Sequence, residues 1–488
     1  MMKKIYIVGL IAGTIGFSSC NDFLTEMPKH QQTIENVIID YTTAQYAVNG
    51  IYSTYANCGN LGGYLYTSLA TQASLWISGA TFRDMTYYQG NTSDYTTPNI
   101  WMNLYSCVNS ANAAIAGIEG ANPAIYPSEN AKIALLAEAR CLRGFSYLNI
   151  LWCFGHWFAD ADSPYGLIYR DQQPNLTNLM AERISVGESY QHIIDDLEYA
   201  ATYLGDYTSP RLVSRQFAQV MHAKLLLVRG WDGDYTKALE LVNTVMAEAP
   251  SIFKMESNIS DLYDKSWDSN ELLFCRYLGD QSLPSNNDYP YSAGLFDKKT
   301  FEEIPTAWLK ADPRYDYIMG EAYGPNQWQV DQGIKGTVLT KLYRGGRGKD
   351  PYGKYTTYVF RYAELYLMKA ELLARTNPSD IAGALKPLND MRAQYVTPHL
   401  DPVPTPANHQ ELMDAIFKEY IVTLFLENET EWFASIRFKT ADGDTWLKKL
   451  KGADISYTEN QYCWPIPDDE MKTHDNEILQ NPGLGAIE

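Results

Sequence analysis

The sequence predicts a mainly α protein whose helical pairs carry long, loop-rich insertions. Three observations predict it. Apolar residues recur at three- and four-residue spacing over much of the chain. Serine and glycine bracket several of these runs where helix caps belong. Two long stretches between them are rich in Gly, Asn, Ser and aromatic residues, and such lengths inside a helical scaffold are usually functional or disordered. Their aromatic content speaks against disorder.

The chain opens with Lys3 and Lys4, followed by an apolar run over residues 5–17 and then Ser18, Ser19 and Cys20. This is the pattern of a secretory leader. The run is shorter than the roughly 20 residues a spanning helix needs. It resembles a lipobox, with Phe17 in place of the usual leucine, so residues 1–19 are expected to be removed and Cys20 acylated. The alternative is an ordinary cleaved leader with a free cysteine. Acyl chains would hold the chain at a membrane surface, each buried CH₂ contributing about 0.8 kcal/mol.

Helical spacing marks residues 40–57 and 97–120; in the latter Trp101, Leu104, Tyr105, Val108, Ala111 and Ile115 share one face. Residues 128–155 form the longest candidate, with Ser128 as N-cap and Gly155 as stop. Residues 185–205 follow, with Ser185 and Glu188 spaced as a capping box and Gly205 as terminator. A helical hairpin is predicted over 214–250, turning at "WDGDY". Its second arm carries Ala238, Val242, Val245 and Pro250 at the offsets of a tetratricopeptide repeat, and Ala223 is the small residue on the first arm. A similar hairpin is predicted over 361–375 and 380–394, with Ala370 and Ala384 as packing residues. Trp101 and Trp152 fall on apolar helix faces and are expected in the core.

The two insertions are expected near 58–96 and 251–358. The first holds Trp76, Phe82, Tyr87 and Tyr88, and the second Tyr289, Tyr291, Tyr323 and Trp328. A sugar ring has an apolar face of axial C–H groups that stacks on an aromatic side chain with a polar surround. These eight residues are the candidate ligand contacts. Each could instead pack under its own loop.

Composition excludes several classes. A formal net charge of −19 gives no electrostatic case for nucleic acid, whose affinity comes largely from Lys and Arg neutralising phosphates. Neutral glycans suit this balance better than sulfated or uronic ones. No two cysteines are spaced C-x-x-C, so a zinc or redox site has little support. Cys141 and Cys153, on one predicted helix, would lie ~18 Å apart, too far to bond. "YRGGRGKDPYGKY" fails as a phosphate loop, because Tyr343 stands where the first glycine is needed and Asp350 where a hydroxyl is needed. Neither G-x-S-x-G nor H-E-x-x-H occurs. The adjacent carboxylates Asp195–Asp196, Glu302–Glu303 and Asp468–Asp469 read as solvated faces. No catalytic residue, metal site or cofactor is expected.

Together these features resemble the SusD/RagB family of Bacteroidetes outer-membrane lipoproteins. The resemblance rests on "CNDFLTEMP" (20–28), "WMNLYSCVNSANAAI" (101–115), "AEARCLRGFSYLNILWCFG" (137–155), "DPR" (312–314), "RYAELYLMKAELLA" (361–374), "ALKPLNDMRAQ" (384–394), "YCWPIPDDEM" (462–471) and "LQNPG" (479–483). Asp22 after Cys20 resembles the surface-export signal of such lipoproteins. One segment departs from the family pattern. In "KEYIVTLFLENETEWFASIRF" (418–438) Tyr420 replaces an arginine, while Trp432 and Arg437 remain as expected anchors of the fold.

The resemblance implies a SusD-like domain over 20–488, with four degenerate tetratricopeptide-like helical pairs near 40–250 and 360–440. It implies a surface protein, lipid-anchored in the outer membrane, that binds an oligo- or polysaccharide. That glycan would pass to a SusC-like TonB-dependent transporter, with no bond chemistry and no cofactor. By position Trp76 matches the family's first-loop aromatic. Peptide capture is the alternative, as in some family members. A surface glycoside hydrolase and a purely structural docking protein are the further readings.

Overall fold

The computed structural model describes residues 37–58, 61, 65, 66, 69, 72, 73, 96–175, 178–277, 304–323, 331–333, 335–342, 356–451, 458–474 and 477–484. The N-terminal half is a run of helices, each packed on the next: α1 (Tyr41–Asn57), α2 (Thr96–Gly120), α3 (Glu129–Phe154), α4 (Val186–Tyr203), α5 (Arg215–Arg229) and α6 (Asp234–Glu248). α7 (Ile259–Lys265) and strand β1 (Leu272–Cys275) follow. Next come α8 (Ile304–Lys310), α9 (Tyr315–Ile318), β2 (Met319–Tyr323), β3 (Lys335–Leu339) and β4 (Tyr358–Arg361). The C-terminal part holds α10 (Tyr362–Thr376), α11 (Ile381–Gln394), α12 (His409–Thr423), α13 (Thr430–Arg437), α14 (Trp446–Lys451) and α15 (Asp468–Thr473). α6 packs on α10, and α10 on both α11 and α12, which joins the two halves in one core.

Local chemistry sets the helix ends. Asp40 and Thr43 form a capping box on α1, and Ser185 and Glu188 form the expected one on α4. Ser128 Oγ accepts from Ala131 N at 3.2 Å to start α3. Every residue of α3 from Cys141 to Phe154 is buried, so the C-terminal half of this helix runs through the interior and is covered on all sides. α4 ends at Tyr203, two residues before the expected Gly205. The α5–α6 turn uses Gly230 and Gly233 at φ +67° and +81°, which L side chains adopt poorly. Asp234 closes it by accepting from Trp231 N and from the Arg229 guanidinium. Ala223, Ala238, Ala370 and Ala384 are fully buried, and α5–α6 and α10–α11 pack as hairpins. Trp101 and Trp152 lie in the core as expected. Cys107, Cys141, Cys153, Cys275 and Cys463 are buried and unbridged.

Two expectations need correction. The second insertion does not begin at residue 251. β1 pairs antiparallel with β4, and all eight residues of the two strands are buried. The insertion therefore springs from a buried ribbon. A four-residue apolar run such as Leu272–Cys275 has no periodicity that separates strand from loop or helix. The pair Asp195–Asp196 is not a solvated face either. Asp195 is exposed, but Asp196 is buried and accepts from Arg140 Nε at 2.7 Å, Arg143 Nε at 2.7 Å and Arg143 Nη2 at 2.8 Å. Neighbours on a helix point to different sides, and α4 turns one of them onto α3.

The quoted C-terminal motifs are structural. Trp464 Nε1 donates to Gln72 Oε1 at 2.8 Å, and Trp157 Nε1 to Tyr462 O at 3.0 Å. Asn481 Nδ2 donates at 2.8 Å to both Phe154 O and Trp464 O, which ties the tail to the end of α3. In "DPR", the fully buried Arg314 bonds Asp312 at 2.7 Å and Glu419 at 2.6 Å. Trp432 is buried, and Arg437 Nη2 pairs with Glu371 Oε2 at 2.9 Å, so both expected anchors hold.

Candidate functional site

Where α1 ends, the first insertion begins; where β1 ends, the second begins. The structure brings these two roots to one cavity of about 330 Å³. Its wall is made by Tyr52 and Tyr55 from the last turns of α1, and by Phe274 and Tyr277 at the end of β1. Arg211 reaches it from the segment between α4 and α5.

The apolar base is rigid. Tyr55 stacks on Phe274 with ring centroids 5.9 Å apart and planes 26° apart. Phe217 backs Phe274 at 4.8 Å, and Phe145 meets Tyr55 edge-on at 5.9 Å. Tyr52 is fixed by its hydroxyl, which donates to Glu138 Oε1 at 2.6 Å and accepts from Val213 N at 3.1 Å. Burial raises the Glu138 carboxyl above its ordinary range, and the Tyr52 bond works against that. Burial, then the neighbouring Glu138, pushes the Tyr52 phenol well up. The Tyr55 hydroxyl is buried with no partner among the described residues, and burial raises it too. Burial pushes the Cys275 thiol up to about 12, so it is an inert apolar wall.

The polar rim centres on Arg211. Its guanidinium lies over the Tyr277 ring, 4.2 Å from the centroid, and Nη1 donates to the Tyr277 hydroxyl at 3.0 Å. Asp268 takes Nη2. The described lining contains no carboxylate. Such a wall can stack a ring and donate hydrogen bonds.

Of the sequence candidates, Trp76, Phe82, Tyr87, Tyr88, Tyr289, Tyr291 and Trp328 lie outside the described residues, as does Cys20. Tyr323 is the last residue of β2, opposite Lys335 of β3, and its side chain is outside the described set. Sequence reasoning missed Tyr52, Tyr55, Arg211 and Tyr277. Tyr52 and Tyr55 carry the same three- and four-residue spacing as the core face of α1. Only their place in the last turns before an insertion sets them apart. Among the described residues no group of three His, Cys, Asp or Glu side chains could hold a metal ion. No described helix is long and apolar enough to cross a membrane.

Comparison with known proteins agrees with this architecture. A family model described as "SusD family" matches residues 313–484, and one described as "Starch-binding associating with outer membrane" matches residues 22–225. A SusD-like protein of Bacteroides ovatus is 24% identical over 428 residues, covering 80% of this chain and 73% of its own. A SusD superfamily protein of Bacteroides thetaiotaomicron, known from a crystal structure, superposes with a TM-score of 0.71 at 21% identity, covering 91% of this chain and 100% of its own. A SusD-like carbohydrate binding protein of Bacteroides vulgatus does so with a TM-score of 0.67 at 18% identity, covering 90% and 97%. The fold is mainly α and SusD-like, and the two family matches lie at opposite ends of the same chain. The chain belongs to the SusD/RagB family.

Proposed function

We propose that the protein captures an oligo- or polysaccharide at the cell surface and passes it to a partner TonB-dependent transporter of the outer membrane, doing no bond chemistry itself. The observation that carries this reading is the meeting of both insertion roots at one aromatic cavity beside Arg211. On this reading Trp76, Phe82, Tyr87 and Tyr88 of the first insertion contact the glycan. Tyr289, Tyr291, Tyr323 and Trp328 of the second insertion do the same. Cys20 carries the acyl anchor. The carbohydrate-binding description of the Bacteroides vulgatus relative and the starch-binding description of the N-terminal match favour a glycan.

The test is affinity electrophoresis. Protein lacking residues 1–20 is run through native gels containing neutral and acidic polysaccharides, with a peptide-rich hydrolysate as competitor. Retardation in a neutral glycan gel, unrelieved by the hydrolysate, is the expected result. Folded protein that no glycan retards, or retardation abolished by peptide, overturns it. A reducing-sugar assay on the retarding glycan is expected to stay at background.

A further inference from the structure

A second cavity, of about 320 Å³, shares no residue with the first. Trp308 of α8 and Trp446 of α14 form one corner of it, with Asp414 and Lys418 of α12 at its side. Its size is at the small end of the ~300–1,000 Å³ range of ligand pockets.

The corner is held in place. The two indoles meet edge to face, with centroids 5.5 Å apart and planes 71° apart. Phe417 stacks on Trp446 at 4.8 Å and 23°, and meets Trp308 edge-on at 6.1 Å. Trp446 Nε1 donates to Asp414 Oδ1 at 3.3 Å, and Gln410 Nε2 donates to the same oxygen at 3.0 Å. Gln410 is anchored in turn, through Lys439 O at 2.8 Å. Asp414 is therefore aimed by two donors on one oxygen, and its Oδ2 has no bond among the described residues.

Asp414, Lys418, Asp442 and Lys449 all line the cavity. None makes an ion pair among the described residues; Asp414 is half-buried, and Lys418, Asp442 and Lys449 are exposed. Lys449 instead holds its ammonium over the Trp446 ring, 4.5 Å from the centroid. Two positive and two negative groups leave the lining with no net formal charge. It offers an aimed acceptor, two donors and an indole corner. Vicinal hydroxyls on a ring with an apolar C–H face match that set, because each hydroxyl both donates and accepts.

We infer that this cavity is a second carbohydrate site, taking a single neutral pyranose or chain end, with Trp308 as platform and Asp414 as hydroxyl acceptor. The inference rests on the glycan-capture reading. A second site on other elements of the same chain would let one molecule hold a long glycan at two points. Linking sites in this way raises overall avidity without any new contact at either.

The test uses the same protein labelled with 5-fluorotryptophan, its ¹⁹F signals assigned with Trp308→Phe and Trp446→Phe. The probes are D-glucose, D-galactose, D-mannose and D-xylose, added to tens of millimolar. One of them is expected to shift the Trp308 and Trp446 signals with saturation. Asp414→Asn is expected to weaken that response at least fivefold, and Lys449→Gln to weaken it less, each with an unchanged melting temperature. Signals that stay still with every sugar, while polysaccharide still retards the protein in gels, overturn the second site and leave the first reading standing. Equal responses in Asp414→Asn and wild type also overturn it. Loss of both responses overturns both readings.

Discussion

Arg361 donates from Nε to Glu427 Oε2 at 2.6 Å, and both side chains are buried. Arg361 ends β4, and Glu427 lies between α12 and α13. The same guanidinium pairs with Glu271 at 2.6 Å beside β1, and Glu427 Oε1 takes Lys341 Nζ at 2.8 Å. Four charges from distant parts of the sequence thus bind the ribbon, the second insertion and the C-terminal helices. Removing one partner of such a set leaves an uncompensated buried charge.

Glu427→Gln should therefore destabilise the fold by about 3–5 kcal/mol. Burial raises the Glu427 carboxyl, but Arg361 and Lys341 outweigh it and hold it below its ordinary range. A depressed folded value means stability present above the unfolded carboxylate value and lost as pH falls through the folded one. Chemical denaturation at pH 7 and in acid checks both statements. A loss under 1 kcal/mol at pH 7 would count against the network.

Asp196→Asn should cost about 3–5 kcal/mol by stranding Arg143, while Asp195→Asn stays within about 0.5 kcal/mol. Two adjacent, chemically identical residues make a direct comparison in urea melts. Equal effects would contradict the burial described for Asp196.

His156 and His222 should stay neutral well into acid. Burial, then Arg183, lowers His156 to about 4. Burial, then Lys237 and Arg229, lowers His222 to about 4. Between the ordinary value of 6.5 and about 4 the unfolded chain binds more protons, so stability falls as pH falls through that window. NMR titration of the imidazole C2 protons should show neither ring shifting between pH 8 and 5.5. A midpoint near 6.5 for either would refute its burial.

On the glycan-capture reading, Trp76→Ala and Tyr277→Ala should each weaken glycan binding by about 1–3 kcal/mol, the range for an anchoring aromatic. Calorimetry with the retarding glycan measures it. Unchanged affinity removes that residue from the site.

Tyr55→Phe separates contact from packing. Its hydroxyl is buried without a partner among the described residues, so losing it should leave stability unchanged or raise it by up to about 1 kcal/mol. Weaker glycan binding at unchanged stability would assign that hydroxyl to the ligand.

The sequence by itself determined the helices whose signals are local. Ser128, Ser185 with Glu188, and the Gly230–Gly233 turn act within four residues of themselves, and each stands where it was expected. Buried tryptophans were legible for the same reason, since three- and four-residue spacing marks a face. What only the tertiary structure decided depends on partners far away in sequence. β1 is a strand because β4, 83 or more residues on, supplies its hydrogen bonds. Asp196 is buried because Arg140 and Arg143 of α3 neutralise it. Tyr52 and Tyr55 line a cavity because α1 and β1 end side by side, an adjacency that no local pattern encodes.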